Sequence, residues 1–233
     1  IYEASASAMF GVPIEEIGKT SPLRQKGKIA ELALGYGGSV GALVSMGATK
    51  MRLSEEELPD LVSQWRLANP HITEFWWKVD AAAYKAVKER TTVQTERLVF
   101  EYRGGILFIH LPSGRKLSYV KPRLELNRFG REGITYEGVG ESKKWTRIET
   151  YGPKMVENII QAVSRDILAE AMLRLEKAGF DIVMHVHDEV VLEVPERVSS
   201  VEEVNELMAV NSSWTMGLPL KAAGFESSFY KKD

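Results

Sequence analysis

Cysteine is absent from the 233 residues. That absence excludes disulfides, thiolate zinc sites and a cysteine nucleophile, and it fits a reducing compartment. A metal here must be held by oxygen or imidazole, and imidazole is itself scarce, with 4 histidines in the chain. No apolar run approaches the roughly 20 residues needed to span a bilayer. The opening IYEASASAMFGVP lacks the basic start and apolar core of a signal peptide. A cytoplasmic protein without a membrane partner is expected.

Aspartate is also missing from one long segment. Residues 85–154 hold 15 Lys and Arg against 8 Glu and no Asp, although the whole chain has a formal net charge of only -2. This segment is therefore basic and the remainder acidic, which fits either a solvated basic surface or a nucleic-acid footprint. The 44% hydrophobic and 27% charged content is that of an ordinary globular chain, long enough for one large domain or two small ones.

The hydrophobic periodicity predicts an α+β fold. Residues 3–10 read as a helix stopped at Gly11-Val12-Pro13. Ser21-Pro22 reads as an N-cap followed by proline at the first helical position, opening the helix LRQKGKIAELAL, which ends at Gly35, Gly37 and Gly38. Leu23, Ala30 and Leu34 share one side of it, where Gly27 admits a close neighbour. Ser54 is placed to cap a further helix with Glu55 to Glu57 in its first turn, and Pro70 separates that helix from another reaching about Arg90. In this last helix Phe75, Trp76, Val79, Ala83 and Val87 are expected in the core.

The period changes to two at about Thr92. ILFIHLPSGRKLSYV reads as two strands joined at Ser113-Gly114, and residues 125–145 as an exposed β excursion. Pro153 opens a long helix closed by Lys177 and Gly179, followed by two β runs around His187-Asp188-Glu189 and a last helix from Ser199 to Trp214. The division expected is 1–150, helical over 1–91 and β-rich over 92–150, then 151–233. There is no internal repeat.

Two groups of residues carry chemistry. Within MHVHDEVVLEV the adjacent acids Asp188 and Glu189 repel unless a cation lies near them. A bare Asp-Glu pair at a turn is commonly only solvated, but both flanking arms are apolar enough to be buried, so the tip is expected to emerge in a cleft. Carboxylates without thiols suit magnesium, which keeps several waters and is shared with substrate phosphates. A competing metal site would use His185 and His187 on one strand face, as in metal-dependent hydrolases. His71 and His110, the remaining histidines, are expected to have no acidic or histidine partner nearby.

The second group is Arg24, Lys28 and Leu32, at i, i+4 and i+8 on one helix face and followed by Tyr36-Gly37. Two cations one turn apart either snorkel to solvent or clamp a polyanion. A triphosphate held there would leave its base near Leu32 and Tyr36.

The run R-x3-K-x3-L-x3-Y-G from Arg24 to Gly37, followed by His187-Asp188-Glu189, resembles the family A DNA polymerases in order and separation. The resemblance extends through Gln161 and Asp166 of the long helix to the C-terminus, and RQKGKIAELALGYGG is most similar to phage or prophage members. It implies a helical fingers subdomain with a β-rich insertion, then a partial palm in which an antiparallel hairpin packs on a long helix. It further implies that Arg24 and Lys28 hold the triphosphate of a dNTP, with Lys28 also acting in catalysis, and that Leu32, Tyr36 and Gly37 shape the nucleotide pocket. Gln161 and His187 would meet the primer strand, Asp188 would bind Mg2+, one of two ions in a complete enzyme, and Glu189 would support that metal.

Two departures from the family matter. Leu32 stands where most of the family has an aromatic residue. The family's first palm motif, an Asp followed by Ser, Ile and Glu, belongs farther upstream of Arg24 than the 23 residues present before it. The resemblance therefore implies a DNA primer-template and dNTP as partners, together with an N-terminal part of the palm and a thumb outside this sequence. In-line transfer with two metals needs carboxylates on both sides of the pair, so these residues alone are expected not to extend a primer. The alternatives are a non-catalytic nucleic-acid-binding remnant of a polymerase and a histidine-dependent metal hydrolase.

Overall fold

The computed structural model describes residues 1–51, 54–127, 130–195 and 199–231. They form an α+β protein with two compact units, one of Ile1–His110 with Lys116–Asn158 and one of Leu111–Arg115 with Ile159–Asp233. The tip of one hairpin thus belongs with the C-terminal unit, and the first unit extends past residue 150 into a long helix. No helix among the described residues is long and apolar enough to cross a membrane.

The first unit begins with helix α1 (Tyr2–Phe10), ended by Gly11 in the left-handed conformation at φ 66. Helix α2 (Pro22–Leu34) starts as its sequence requires, with the Ser21 hydroxyl accepting from the Leu23 amide at 3.2 Å. Its inward side carries Ile29, Ala30, Ala33 and Leu34. Gly27 lies on that side too, and a Cβ there would run into the Tyr2 carbonyl oxygen, so its missing side chain sets how closely α1 and α2 approach.

After the short helix α3 (Val40–Ser45), α4 (Leu58–Ala68) begins later than expected from Ser54. Pro59 sits in its first turn, where a missing N–H costs nothing. Residues 55–57 form a turn in which the Glu57 carboxylate accepts from the Ser54 amide at 2.8 Å and its hydroxyl at 3.0 Å. Helix α5 (Pro70–Glu89) buries Trp76, Val79, Ala83 and Val87 as expected, with Phe75 half-buried. The Trp65 and Trp76 rings stack at 5.9 Å, and the Trp65 indole donates to Glu31 of α2 at 3.1 Å, tying α2, α4 and α5 into one core.

Six strands follow as an antiparallel meander: β1 (Thr92–Thr95), β2 (Leu98–Arg103), β3 (Ile106–His110), β4 (Lys116–Leu126), β5 (Glu132–Val139) and β6 (Trp145–Thr150). Alternation sends Leu98, Phe100, Leu107, Ile109, Tyr119 and Ile134 inward, and α5 lies against the sheet. The long β4 is broken between Val120 and Arg123, where the register shifts and Lys121 takes φ 45.

Helix α6 (Gly152–Lys177) starts in the first unit and continues into the second. In the second unit, Asp166 of α6 accepts from the Ser113 hydroxyl at 2.5 Å and from Arg115 Nε at 2.6 Å, which anchors the Leu111–Arg115 turn. Strands β7 (Asp181–Val186) and β8 (Glu189–Glu193) form a two-stranded hairpin. Helix α7 (Val201–Met208) is capped by the Ser200 hydroxyl and stops well before Trp214. Arg174 closes it by donating to the Leu207 and Met208 carbonyls at 3.0 and 3.3 Å, while the Trp214 indole donates to Glu170 at 2.6 Å, outside any helix.

Candidate nucleotide and metal sites

Arg24, Lys28 and Leu32 lie along the side of α2 that faces away from its buried stripe, as their spacing requires. Leu32 is 49% exposed and Tyr36, just past the helix, 38%. Leu32 and Tyr36 are therefore open at the surface, whereas Arg24 is half-buried. Gly37, at φ 81, follows Tyr36 with its amide bonded to the Leu34 carbonyl at 3.0 Å, and a Cβ there would stand 2.5 Å from the Pro153 Cβ at the start of α6. Only glycine meets both demands, so the Tyr36-Gly37 corner is seated against α6 by the absence of a side chain.

The entry of α6 is fixed from α5. The Asp80 carboxylate accepts from the Gly152 amide at 2.6 Å, serving as an N-terminal cap supplied from a distant helix. Burial pushes the Asp80 carboxyl above its ordinary range, while the Gly152 amide pulls it partly back.

Two residues that the sequence reading passed over stand beside the cations. The Arg24 guanidinium centre lies 5.3 Å from the Tyr2 ring centroid and the Lys28 ammonium 5.9 Å from the same ring. Arg24 also donates through Nε to the Glu3 carboxylate, and this bond is the first reason that the Glu3 carboxyl sits below its ordinary range. The signal that could have found them was an aromatic and an acid side by side at the start of an otherwise small-residue helix.

At the hairpin, Val186 pairs with Glu189, so the turn is His187-Asp188 and Glu189 is already the first residue of β8. His187 takes φ 56, a conformation glycine usually supplies at this turn position and which histidine tolerates better than branched residues. Asp188 is exposed. The arms are not buried as expected: Val183 is 56% exposed and Met184 37%, and no residue of β7 or β8 is fully buried. Among the described residues the β7–β8 sheet has no third strand, so each strand has one free edge and its apolar side chains are only partly covered. A hollow of about 150 Å³ lies at the other end of the hairpin, beside Asp181 and Glu193, and does not include Asp188.

Asp188 and Glu189 are hard oxygen donors next to each other, and they suit Mg2+, which takes one or two carboxylates and fills its shell with water and phosphate oxygens. Among the described residues no group of three or more His, Asp or Glu is placed to hold a metal, so His185 and His187 find no third ligand there. His110 does have an acidic partner, contrary to the sequence reading: Glu101, one strand over, lies 2.7 Å from its Nε2. The pairing of Val99 with His110 brings the two together across β2 and β3 although nine positions separate them in the chain. Gln161 is exposed on α6, and Asp166 is taken up by the Leu111–Arg115 turn.

The sequence profile of DNA polymerase family A matches residues 1–228. The DNA polymerase of Bacillus phage SP02 is 58% identical across the whole of this chain, which corresponds to 36% of that protein. The POL domain of Pol1 from M. smegmatis, solved in complex with DNA primer-template and dNTP, superposes on 89% of this chain and 30% of its own, with a TM-score of 0.55 and 22% sequence identity. The chain thus spans about a third of the curated relative it matches.

Proposed function

The chain belongs to DNA polymerase family A, and on that premise we propose that it carries the nucleotide seat and one carboxylate bank of a template-directed DNA polymerase, adding deoxynucleotides to a primer 3′ end. The observation that supports this reading is the outward face of α2, which presents Arg24, Lys28 and Leu32 in line and ends at the exposed Tyr36. Arg24 and Lys28 hold the triphosphate, the guanidinium by paired hydrogen bonds and the ammonium as a point charge that also draws charge from the leaving phosphate. Leu32, Tyr36 and Gly37 form the floor under the base pair.

Asp188 is the Mg2+ ligand and Glu189 its support. When bound, the metal supplies charge neutralisation along the phosphates. His187 and Gln161 contact the primer strand, and the basic residues of 85–154 meet backbone phosphates whatever the sequence. The remaining palm carboxylates and the thumb come from the portion of the polymerase outside these residues, which by themselves do not extend a primer.

The test is titration of the chain with Mg–dNTP in the presence of primer-template DNA, with primer extension run in parallel. Arg24→Ala and Lys28→Ala are each expected to weaken dNTP binding by roughly tenfold or more, the usual cost of losing one charge-assisted contact. Affinity indifferent to both substitutions sinks the nucleotide-seat reading. Primer extension by the chain alone, lost in Asp188→Ala, sinks the statement that it is incomplete.

A further inference from the structure

The close approach of α1 to α2 at Gly27 brings Tyr2 and Glu3 to the cationic face of α2. Arg24 is therefore not an open phosphate receptor. Its Nε is occupied by the Glu3 carboxylate, and the Tyr2 ring lies against both Arg24 and Lys28. A carboxylate on a guanidinium makes the same charge-assisted bond that a phosphate oxygen would make, so the two compete for one donor set. Lys28 is exposed by comparison.

Building on the nucleotide-seat reading, we propose that Glu3 is an internal ligand of the triphosphate seat, which an incoming nucleotide must displace from Arg24, while the Tyr2 ring remains as the shared platform for both cations. Two consequences follow from charge alone. A triphosphate that takes Arg24 through its Nε edge must first break the Glu3 to Arg24 pair, and the released carboxylate, still tethered on α1, repels the phosphates. A bare polyphosphate has only those phosphate contacts to set against this cost. A nucleotide paired to a template adds stacking and base-pair contacts, so Glu3 raises the selectivity of the seat for templated nucleotides over free polyphosphate.

The experiment is calorimetric titration of the full chain with Mg–tripolyphosphate, in the wild type, Glu3→Gln and Glu3→Ala, with Lys28→Ala as the control that reports on the seat itself. Gln keeps the size of the side chain and removes its charge, and Ala cannot re-form the bond. Both are expected to bind tripolyphosphate about tenfold more tightly than wild type, in line with the loss of one charge-assisted competitor. A merely structural ion pair predicts the opposite pattern, a lower melting temperature with equal or weaker binding, and that result overturns the proposal. Binding that is weakened by Lys28→Ala yet unchanged by Glu3→Gln and Glu3→Ala removes the proposal while leaving the nucleotide seat in place. Absence of binding in all three chains removes both.

Discussion

Asp80 offers the sharpest test of how this fold holds the Tyr36-Gly37 corner. Its carboxylate lies 2.6 Å from the Gly152 amide, so one side chain of α5 caps the 26-residue helix α6, whose next residue, Pro153, seats Gly37. Asp80→Ala removes a charged acceptor and leaves a helix-terminal N–H without its partner. Loss of such a cap costs about 1–2 kcal/mol, a large share of the margin of a small unit. Asp80→Asn keeps an acceptor oxygen and avoids burying a charge, so it should cost less than about 1 kcal/mol at neutral pH.

The pH dependence has a definite sign. Burial raises the folded-state pKa of Asp80 above its ordinary 3.8, so the folded chain holds this proton more tightly than the unfolded chain does. The contribution of Asp80 to stability is therefore greatest below 3.8 and is lost as pH rises through the higher folded-state value. Urea denaturation followed by tryptophan fluorescence, which reports on the stacked Trp65 and Trp76, measures all of this. The wild type should lose stability relative to Asp80→Asn on going from acid to neutral pH, with Asp80→Ala below both at pH 7. An Ala variant as stable as wild type, or an Asn variant as damaged as Ala, refutes the capping argument.

Two other outcomes follow from the same geometry. Gly37→Ala places a side chain at φ 81 against Pro153 and should cost about 1–3 kcal/mol in urea denaturation, with weakened dNTP binding as Tyr36 shifts. Glu101→Gln should flatten the acid limb of the stability curve. The His110 hydrogen bond, then Arg103 and Lys116, hold the Glu101 carboxyl below its ordinary 4.5, so its contribution is present above that value and lost as pH falls through the lower folded-state one.

Much of the local structure was legible because it is enforced over a few residues. Ser21-Pro22 starts α2, the i, i+4, i+8 spacing puts Arg24, Lys28 and Leu32 on one face, and Gly11 ends α1. The alternating run around Ser113-Gly114 became β3 and β4. Boundaries went wrong where one residue outweighed its neighbours, as when Pro59 took the start of α4 from Ser54. The hairpin arms were misjudged because apolar composition records what a strand is suited to touch, and β7 and β8 have only each other in the sheet.

The sequence alone determined the elements, the face each functional side chain occupies and the polymerase motifs, since these depend on periodicity, caps and spacing along one stretch of chain. Only the tertiary structure decided which groups meet. Glu3 with Arg24, Asp80 with Gly152 and Glu101 with His110 come together through the packing of α1 on α2, α6 on α5 and β2 on β3. The physical reason is that each of these contacts joins residues far beyond one helical turn, where their partners depend on the shape of the whole core and no local rule selects them.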